Sequence, residues 1–252
     1  NQSINLIASM PTMMVNAYQM KRRYYDKQSM FFHLPKPGQS TAEHILSTYR
    51  PDQKFTHEEA KLLDMCLLVH ADHGGGNCST FTTRVLSSSG TDTYSAIAAG
   101  IGALKGPKHG GANLKVMHQL DYILANVEHP EDDGEVREML RKIIRKEAGD
   151  GSGLIYGMGH AVYTLSDPRA QILKNHARSL AYKKGYDEEY NMLCSIERLA
   201  PEIFAEEKHG PKKVCANVDL FSGLIYRMLG ISEDLYTPLF AIARVPLSLI
   251  HI

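Results

Sequence analysis

The chain has 252 residues, 43% of them hydrophobic, and 28 basic side chains against 28 acidic ones, so its formal net charge is zero. That length supports one or two domains with a substantial core, and the balanced charge supplies no field that would draw the molecule to nucleic acid or an anionic membrane. Cys66, Cys78, Cys194 and Cys215 form neither a CxxC pair nor a zinc-type spacing; they read as free thiols of a reducing compartment, and the expected location is cytoplasmic.

The first residues lack a methionine and enter helical periodicity directly: Ile4, Leu6, Ile7, Met10, Met13, Met14, Val15 and Tyr18 trace an apolar face along a helix expected at 3–23. The beginning of the chain therefore reads as the interior of something longer. It carries no charged-then-apolar signal pattern, and no apolar run approaches the roughly 18 to 20 residues of a membrane span. A helix at 41–48 follows, then one from Thr56 to Ala71 opened by Thr56-His57-Glu58-Glu59, a capping-box arrangement. Helices at 78–88, 92–104 and 112–126 come next. From Asp133 to Ala148 acids and bases alternate around Val136, Leu140, Ile143 and Ile144; this helix and the one from Thr56 are expected to be amphipathic with a face in solvent. Helices at 167–183, 187–207, 215–229 and 233–244 complete the series. With no alternating strand pattern of useful length and no internal repeat, the expected fold class is all-α.

Glycine and proline break this pattern at Leu34 to Gly38, Asp72 to Asn77, Gly106 to Gly111, Gly149 to Gly159 and Gly210-Pro211. Chemistry is expected at such breaks, because helix ends expose unpaired backbone donors and loops let side chains converge. His109 lies in Gly106-Pro107-Lys108-His109-Gly110-Gly111, at or just before a helix N-terminus. The positive end of the dipole disfavours imidazolium there, so the ring either donates to a carbonyl as a neutral imidazole or simply caps a turn. The two glycines after it permit close approach of another backbone or a ligand. His160 ends a Gly157-Met158-Gly159 turn that lacks the preceding strand and following lysine of a nucleotide loop. Arg169, just after Pro168, could offer its guanidinium fork to a carboxylate or make a structural salt bridge. Asp219 sits in the small, apolar stretch Val214 to Phe221 and should be largely buried, either as a hydrogen-bonded core carboxylate or as a general base. Brought together, His109, His160 and Asp219 could abstract a proton beside a carbonyl.

His70 and His73 stand three apart, which on a helix would place them on one face. No HExxH frame accompanies them, and the glycines after His73 end the helix. The preferred reading has His73 donating to an anionic substrate and His70 packed or hydrogen-bonded behind it.

Four ordered segments resemble the active-site motifs of the citrate synthase family, with the methylcitrate synthases alongside: HADHGGGN at 70–77, AAGIGALKGPKHGGAN at 98–113, YGMGHAVYTLSDPRA at 156–170 and ANVDLFSG at 216–223. The stretches Arg198 to Phe204 and Phe240 to Arg244 are similar to the same family. The resemblance implies a large helical domain, 1–110 with 230–252, and a smaller helical domain, 111–229, closing over a cleft in a homodimer. It implies condensation of acetyl-CoA with oxaloacetate to citrate and CoA: Asp219 removes a methyl proton, His109 stabilises the enol, and His160 polarises and protonates the keto carbonyl. Substrate contacts fall to His73, Asn77, Arg169 and Arg244. The coenzyme A thioester, a substrate and not a resident cofactor, would lie against Leu154, Ile155, Tyr156, Gly157, Met158 and Gly159. No metal and no permanently bound cofactor are implied.

The chain departs from the family pattern at Thr164-Leu165, where many members carry a lysine or arginine near the coenzyme phosphates. The family also continues past Arg244 to a further arginine that reaches the neighbouring subunit's site. Leu247 to Ile252 equal the translation of CTG TCT CTT ATA CAC ATC, which resembles a sequencing-library adapter; the expectation is a fragment truncated at both ends. Propionyl-CoA as acyl donor stays open, since one methylene is worth about 1 to 3 kcal/mol. So do a metal-dependent hydrolase using His109, His160 and Asp219 as ligands and a catalytically silent helical module.

Overall fold

The computed structural model describes residues 2–74, 76–106, 110–160, 162–207, 214–250 and 252. Regular structure among them is helical: α1 (Gln2–Tyr24), α2 (Thr41–Tyr49), α3 (His57–Ala71), α4 (Cys78–Ser87), α5 (Thr93–Lys105), α6 (Ala112–Asn126), α7 (Asp133–Ile144), α8 (Pro168–Lys184), α9 (Asp187–Glu207), α10 (Asp219–Met228) and α11 (Tyr236–Leu249). A single 3-10 turn, Glu233–Leu235, leads into α11, and Met158 and Ala216 form an isolated antiparallel bridge. None of these helices is long and apolar enough to cross a membrane. Two compact units emerge, Asn1–Gly111 with Ile231–Ile252, and Ala112–Gly230.

In the first unit, side-chain caps set the helix starts. Ser40 and Glu43 form a reciprocal capping box on α2, and Thr56 and Glu59 form the one expected on α3. The buried Glu59 carboxylate also takes both guanidinium nitrogens of Arg50, at 2.9 and 3.1 Å. Asn77 and Asp92 cap α4 and α5. The α4–α5 hairpin closes tightly at Gly100, where a Cβ would come within 2.4 Å of Thr83 Oγ1. Helix α11 packs on α1, α3, α4 and α5, burying Leu239, Phe240, Ile242 and Val245.

The second unit is built around α10, whose residues from Leu220 to Tyr226 are all buried against α6, α8 and α9. Gly223 allows the contact with α6: a Cβ there would lie 2.7 Å from Met117 Cγ and 2.9 Å from the Asn113 carbonyl oxygen. Asp167 caps α8, Pro168 opens it, and Gly185 in the left-handed region (φ 74°) ends it. Parallel helices α7 and α9 are joined on their outer faces by Asp133–Arg198 (2.5 Å), Arg137–Glu202 (2.7 Å) and Arg141–Glu206 (2.7 Å), one pair per helical turn.

Several expected elements differ. Helix α3 keeps a solvent face at His57, Lys61 and Leu68, but a narrow one: Ala60, Leu62, Leu63, Cys66, Leu67, Val69 and His70 are all buried, because neighbours cover it on more than one side. The apolar face of α1 is covered at Met14 and Val15, whereas Ile4, Ile7 and Met13 are exposed. Helix α7 stops at Ile144 instead of Ala148, since Lys146 turns left-handed (φ 67°) and the N–H groups of Lys146 and Glu147 donate back to the Ile143 and Lys142 carbonyls. Helix α10 begins at Asp219, not 215, because residues 215 and 217 spend their backbone groups on another segment. Expected to end at 244, the last helix runs on to Leu249.

Candidate active site

His160 ends the Gly157–Gly159 turn in the second unit. Its Nδ1 accepts hydrogen bonds from the backbone N–H groups of Val162 (3.0 Å) and Tyr163 (3.1 Å), so the ring hydrogen resides on Nε2. Partial burial and then the nearby Arg169 charge push its pKa below the ordinary histidine value, against an opposing pull from Asp167. The ring is therefore neutral at pH 7 with an Nε2–H to give. That Nε2 lies 3.1 Å from Arg169 Nη2. Two N–H donors thus converge on one spot, an arrangement completed by an oxygen that accepts from both.

Of the two alternatives left open for Arg169, the salt bridge is present in the structure. Its guanidinium is buried and paired with Asp167, Nε at 3.0 Å and Nη2 at 2.8 Å, while the same carboxylate caps the Arg169 backbone N–H at 3.0 Å. The salt bridge thus holds the fork at the N-terminus of α8, beside His160. Asp167 is a functional neighbour that the sequence expectations do not include, although an Asp-Pro pair opening a helix is a visible capping signal.

The segment Leu154–Gly159 is held along its length. Gly159 N–H donates to the Cys215 carbonyl (2.7 Å), Asn217 N–H to the Gly157 carbonyl (2.8 Å), and Asn217 Nδ2 to the Gly159 carbonyl (2.9 Å). Asn217 Oδ1 in turn accepts from Asp219 N–H at 2.9 Å. One asparagine side chain thereby links the turn before His160 to the start of α10. Gly157 needs its glycine twice over: φ is 80°, and a Cβ would lie 2.9 Å from Leu220 Cα. At the other end of the segment, the Gln119 side chain pairs with Leu154 and Tyr156. Tyr156 Oη donates to Asp150 at 2.6 Å. Hydrogen bonds from Ser152 and Tyr156, with Lys115 behind them, hold the Asp150 carboxyl well below the usual carboxylate range.

Asp219 is the first residue of α10, where the positive end of the helix dipole stabilises negative charge. Its neighbours Cys215, Ala216, Val218 and Leu220 are buried as expected, but Asp219 itself is half-exposed. The helix start turns it out of the core that surrounds α10.

In the first unit, α3 ends at Ala71 and Asp72 is its C-cap, so His73 does not share a helical face with His70. His70 is fully buried. Its Nδ1–H donates to the Cys66 carbonyl (2.6 Å), and its ring meets Phe240 edge-on at 4.6 Å. Arg244 Nε donates to the His70 carbonyl oxygen, and its guanidinium stacks 4.5 Å from the Phe240 ring centre. His73 Nδ1–H donates to the Gly74 carbonyl at 3.0 Å. Donation to an anion through Nε2 as well therefore requires the imidazolium form.

Asn77, expected among the substrate contacts, is committed elsewhere. Its Oδ1 accepts from Thr80 N–H (3.0 Å) and Ser79 Oγ (2.7 Å), and its Nδ2 donates to the Gly74 carbonyl (2.9 Å) and Thr80 Oγ1 (2.8 Å). These bonds occupy both amide hydrogens, so its place is to shape the loop that carries His73. His109 lies outside the described residues. Beside it, Gly110 answers the question of what approaches closely: a Cβ there would be 2.2 Å from the Leu104 carbonyl oxygen, so the glycine accommodates the chain's own backbone. Among the described residues no group of three or more His, Cys, Asp or Glu side chains is arranged to hold a metal ion.

The family model described as "Citrate synthase, C-terminal domain" matches residues 1–252. The citrate synthase of Synechocystis is 40% identical over 248 residues, covering 98% of this chain and 56% of that protein. That of Deinococcus radiodurans is 41% identical over 190 residues, 75% of this chain and 46% of the relative. Among solved structures, Thermoplasma acidophilum citrate synthase, in a ternary complex with carboxymethyl coenzyme A and oxaloacetate, superposes with a TM-score of 0.80 at 32% identity. The match covers 99% of this chain and 60% of that one. The Pyrobaculum aerophilum enzyme gives 0.79 at 29%, covering 99% and 56%. The chain spans about half the length of these relatives, from 46% to 60% of each. Helical throughout its regular structure and matched from end to end by the family's C-terminal model, the chain belongs to the citrate synthase family.

Proposed function

We propose that the protein carrying this chain condenses acetyl-CoA with oxaloacetate to give citrate and free coenzyme A. The observation that carries this reading is the pairing at His160. A neutral ring with its hydrogen on Nε2 stands 3.1 Å from an arginine nitrogen, which suits a keto acid whose carbonyl and carboxylate oxygens need adjacent donors.

In this reaction Asp219 takes a proton from the methyl group of acetyl-CoA, and His109 donates a hydrogen bond to the thioester oxygen as the enol forms. A carboxylate alone is too weak a base for so weak a carbon acid, and one well-placed donor contributes on the order of 3 kcal/mol. The enol carbon then bonds to the keto carbon of oxaloacetate while His160 passes its Nε2 hydrogen to the carbonyl oxygen. Water cleaves the citryl thioester, and coenzyme A leaves. His73, Arg169 and Arg244 hold the two carboxylates, Asn77 supports the His73 loop, and backbone groups of Leu154 to Gly159 seat the coenzyme.

The units Ala112–Gly230 and Asn1–Gly111 with Ile231–Ile252 correspond in this reading to the family's smaller and larger domains. A homodimer is supported by Phe81 and Val85, one turn apart on α4, and by Tyr94 on α5, all large and solvent-exposed. Four free cysteine thiols suit the cytoplasm. The test is release of coenzyme A from acetyl-CoA, followed with a thiol reagent, with and without oxaloacetate. Oxaloacetate-dependent release is expected; release only from propionyl-CoA would reassign the acyl donor, and no release from either would overturn the proposal.

A further inference from the structure

We infer that Gln119 is a positioning residue for the coenzyme: its side-chain amide acts as a strand partner for Leu154–Tyr156 and fixes the height and tilt of the backbone that receives the thioester. Gln119 lies in α6 and is only 8% exposed. Its Nε2 donates to the Leu154 carbonyl at 2.9 Å, and its Oε1 accepts from the Tyr156 N–H at 3.0 Å. A carboxamide presents one donor and one acceptor side by side, the pattern with which a β-strand residue pairs to its neighbour. Two bonds in one plane fix the orientation as well as the position of the intervening Ile155, whose side chain is buried.

The loop needs such a partner. Gly149, Gly151 and Gly153 precede the segment and Gly157 and Gly159 end it, all with φ between 70° and 97°, so the local backbone has little stiffness of its own. The C-terminal end of the segment is tied to Cys215 and Asn217. Its N-terminal end is tied to Gln119, from a helix 35 to 37 residues away in sequence.

The assignment rests on the reading that this loop seats coenzyme A, and the test separates the two. Gln119→Met keeps the side-chain volume and removes both hydrogen bonds; Gln119→Glu keeps the acceptor and loses the donor. Both are compared with the wild-type protein by steady-state kinetics and by hydrogen exchange at the Tyr156 amide. Expected for Gln119→Met is a rise of about tenfold in the KM for acetyl-CoA, the scale of losing about 1.4 kcal/mol of hydrogen bonding, with the KM for oxaloacetate within about twofold of wild type. Gln119→Glu should fall between. Exchange at Tyr156 should accelerate while exchange within α8 stays unchanged. An unchanged KM for acetyl-CoA in Gln119→Met, or parallel rises in both KM values, would overturn the assignment alone. A wild-type protein that releases no coenzyme A overturns the underlying reading, and the exchange measurement then still decides whether Gln119 holds the loop.

Discussion

The Nε2 of His160 stands 3.1 Å from Nη2 of Arg169, and the other ring nitrogen is filled by the N–H groups of Val162 and Tyr163. Protonating His160 would break those two backbone hydrogen bonds and place a cation beside a guanidinium. Burial first, and then the Arg169 charge, hold its folded pKa below the unfolded value of 6.5. Above 6.5 both states are neutral and nothing is lost; as pH falls from 6.5 toward the folded value, the unfolded chain takes up the proton first, and stability declines. NMR titration of the ring should show the depressed value, and turnover should fade as His160 protonates on the acid side. A His160 resonance titrating at or above 6.5 would contradict this.

Arg169→Met removes the cation from a carboxylate with no solvent exposure, Asp167. Leaving one partner of a buried pair unmatched costs about 3 to 5 kcal/mol, so urea unfolding should register a loss of that size. The acid limb of the pH–rate profile should also move upward, because the positive charge of Arg169, which helps to depress the His160 pKa, has gone.

For Asp219→Asn, turnover should fall by about 10² to 10⁴, the range for a general base. The α10 start should survive, because the bond to Asn217 is made by the backbone N–H of residue 219. Calorimetric binding of oxaloacetate and the melting temperature should both match wild type. Loss of binding along with turnover would point to misfolding in place of a missing base.

Two glycines in helices should respond oppositely to alanine. At Gly223 a Cβ meets Met117 and the Asn113 carbonyl, an overpacking expected to cost about 1 to 3 kcal/mol. At Gly102, in α5, nothing lies within 4 Å, and the gain in helix propensity should stabilise by about 0.5 to 1 kcal/mol. Paired thermal unfolding of Gly223→Ala and Gly102→Ala checks both signs.

The capping box at Thr56 and Glu59 and the proline-opened start of α8 were legible because both partners sit within a few residues of each other. The ends of α7 and α10 were not. Nothing in the spacing of Val214 to Val218 distinguishes a helix from the extended segment that gives its backbone groups to Gly157 and Gly159, 58 residues earlier in the case of the Asn217 side chain. Asn77 shows the converse, a motif residue whose amide is consumed by its own helix cap.

Periodicity and turn chemistry were enough to settle the helical class and, through four short motifs, the family. They could not settle which polar groups in those motifs are used up on the protein itself. That depends on partners far apart in sequence. The tautomer of His160, the pairing of Arg169 with Asp167 and the grip of Gln119 on the Leu154 loop exist only once the chain has folded, because a hydrogen bond's worth depends on what else could have satisfied the same donor and acceptor.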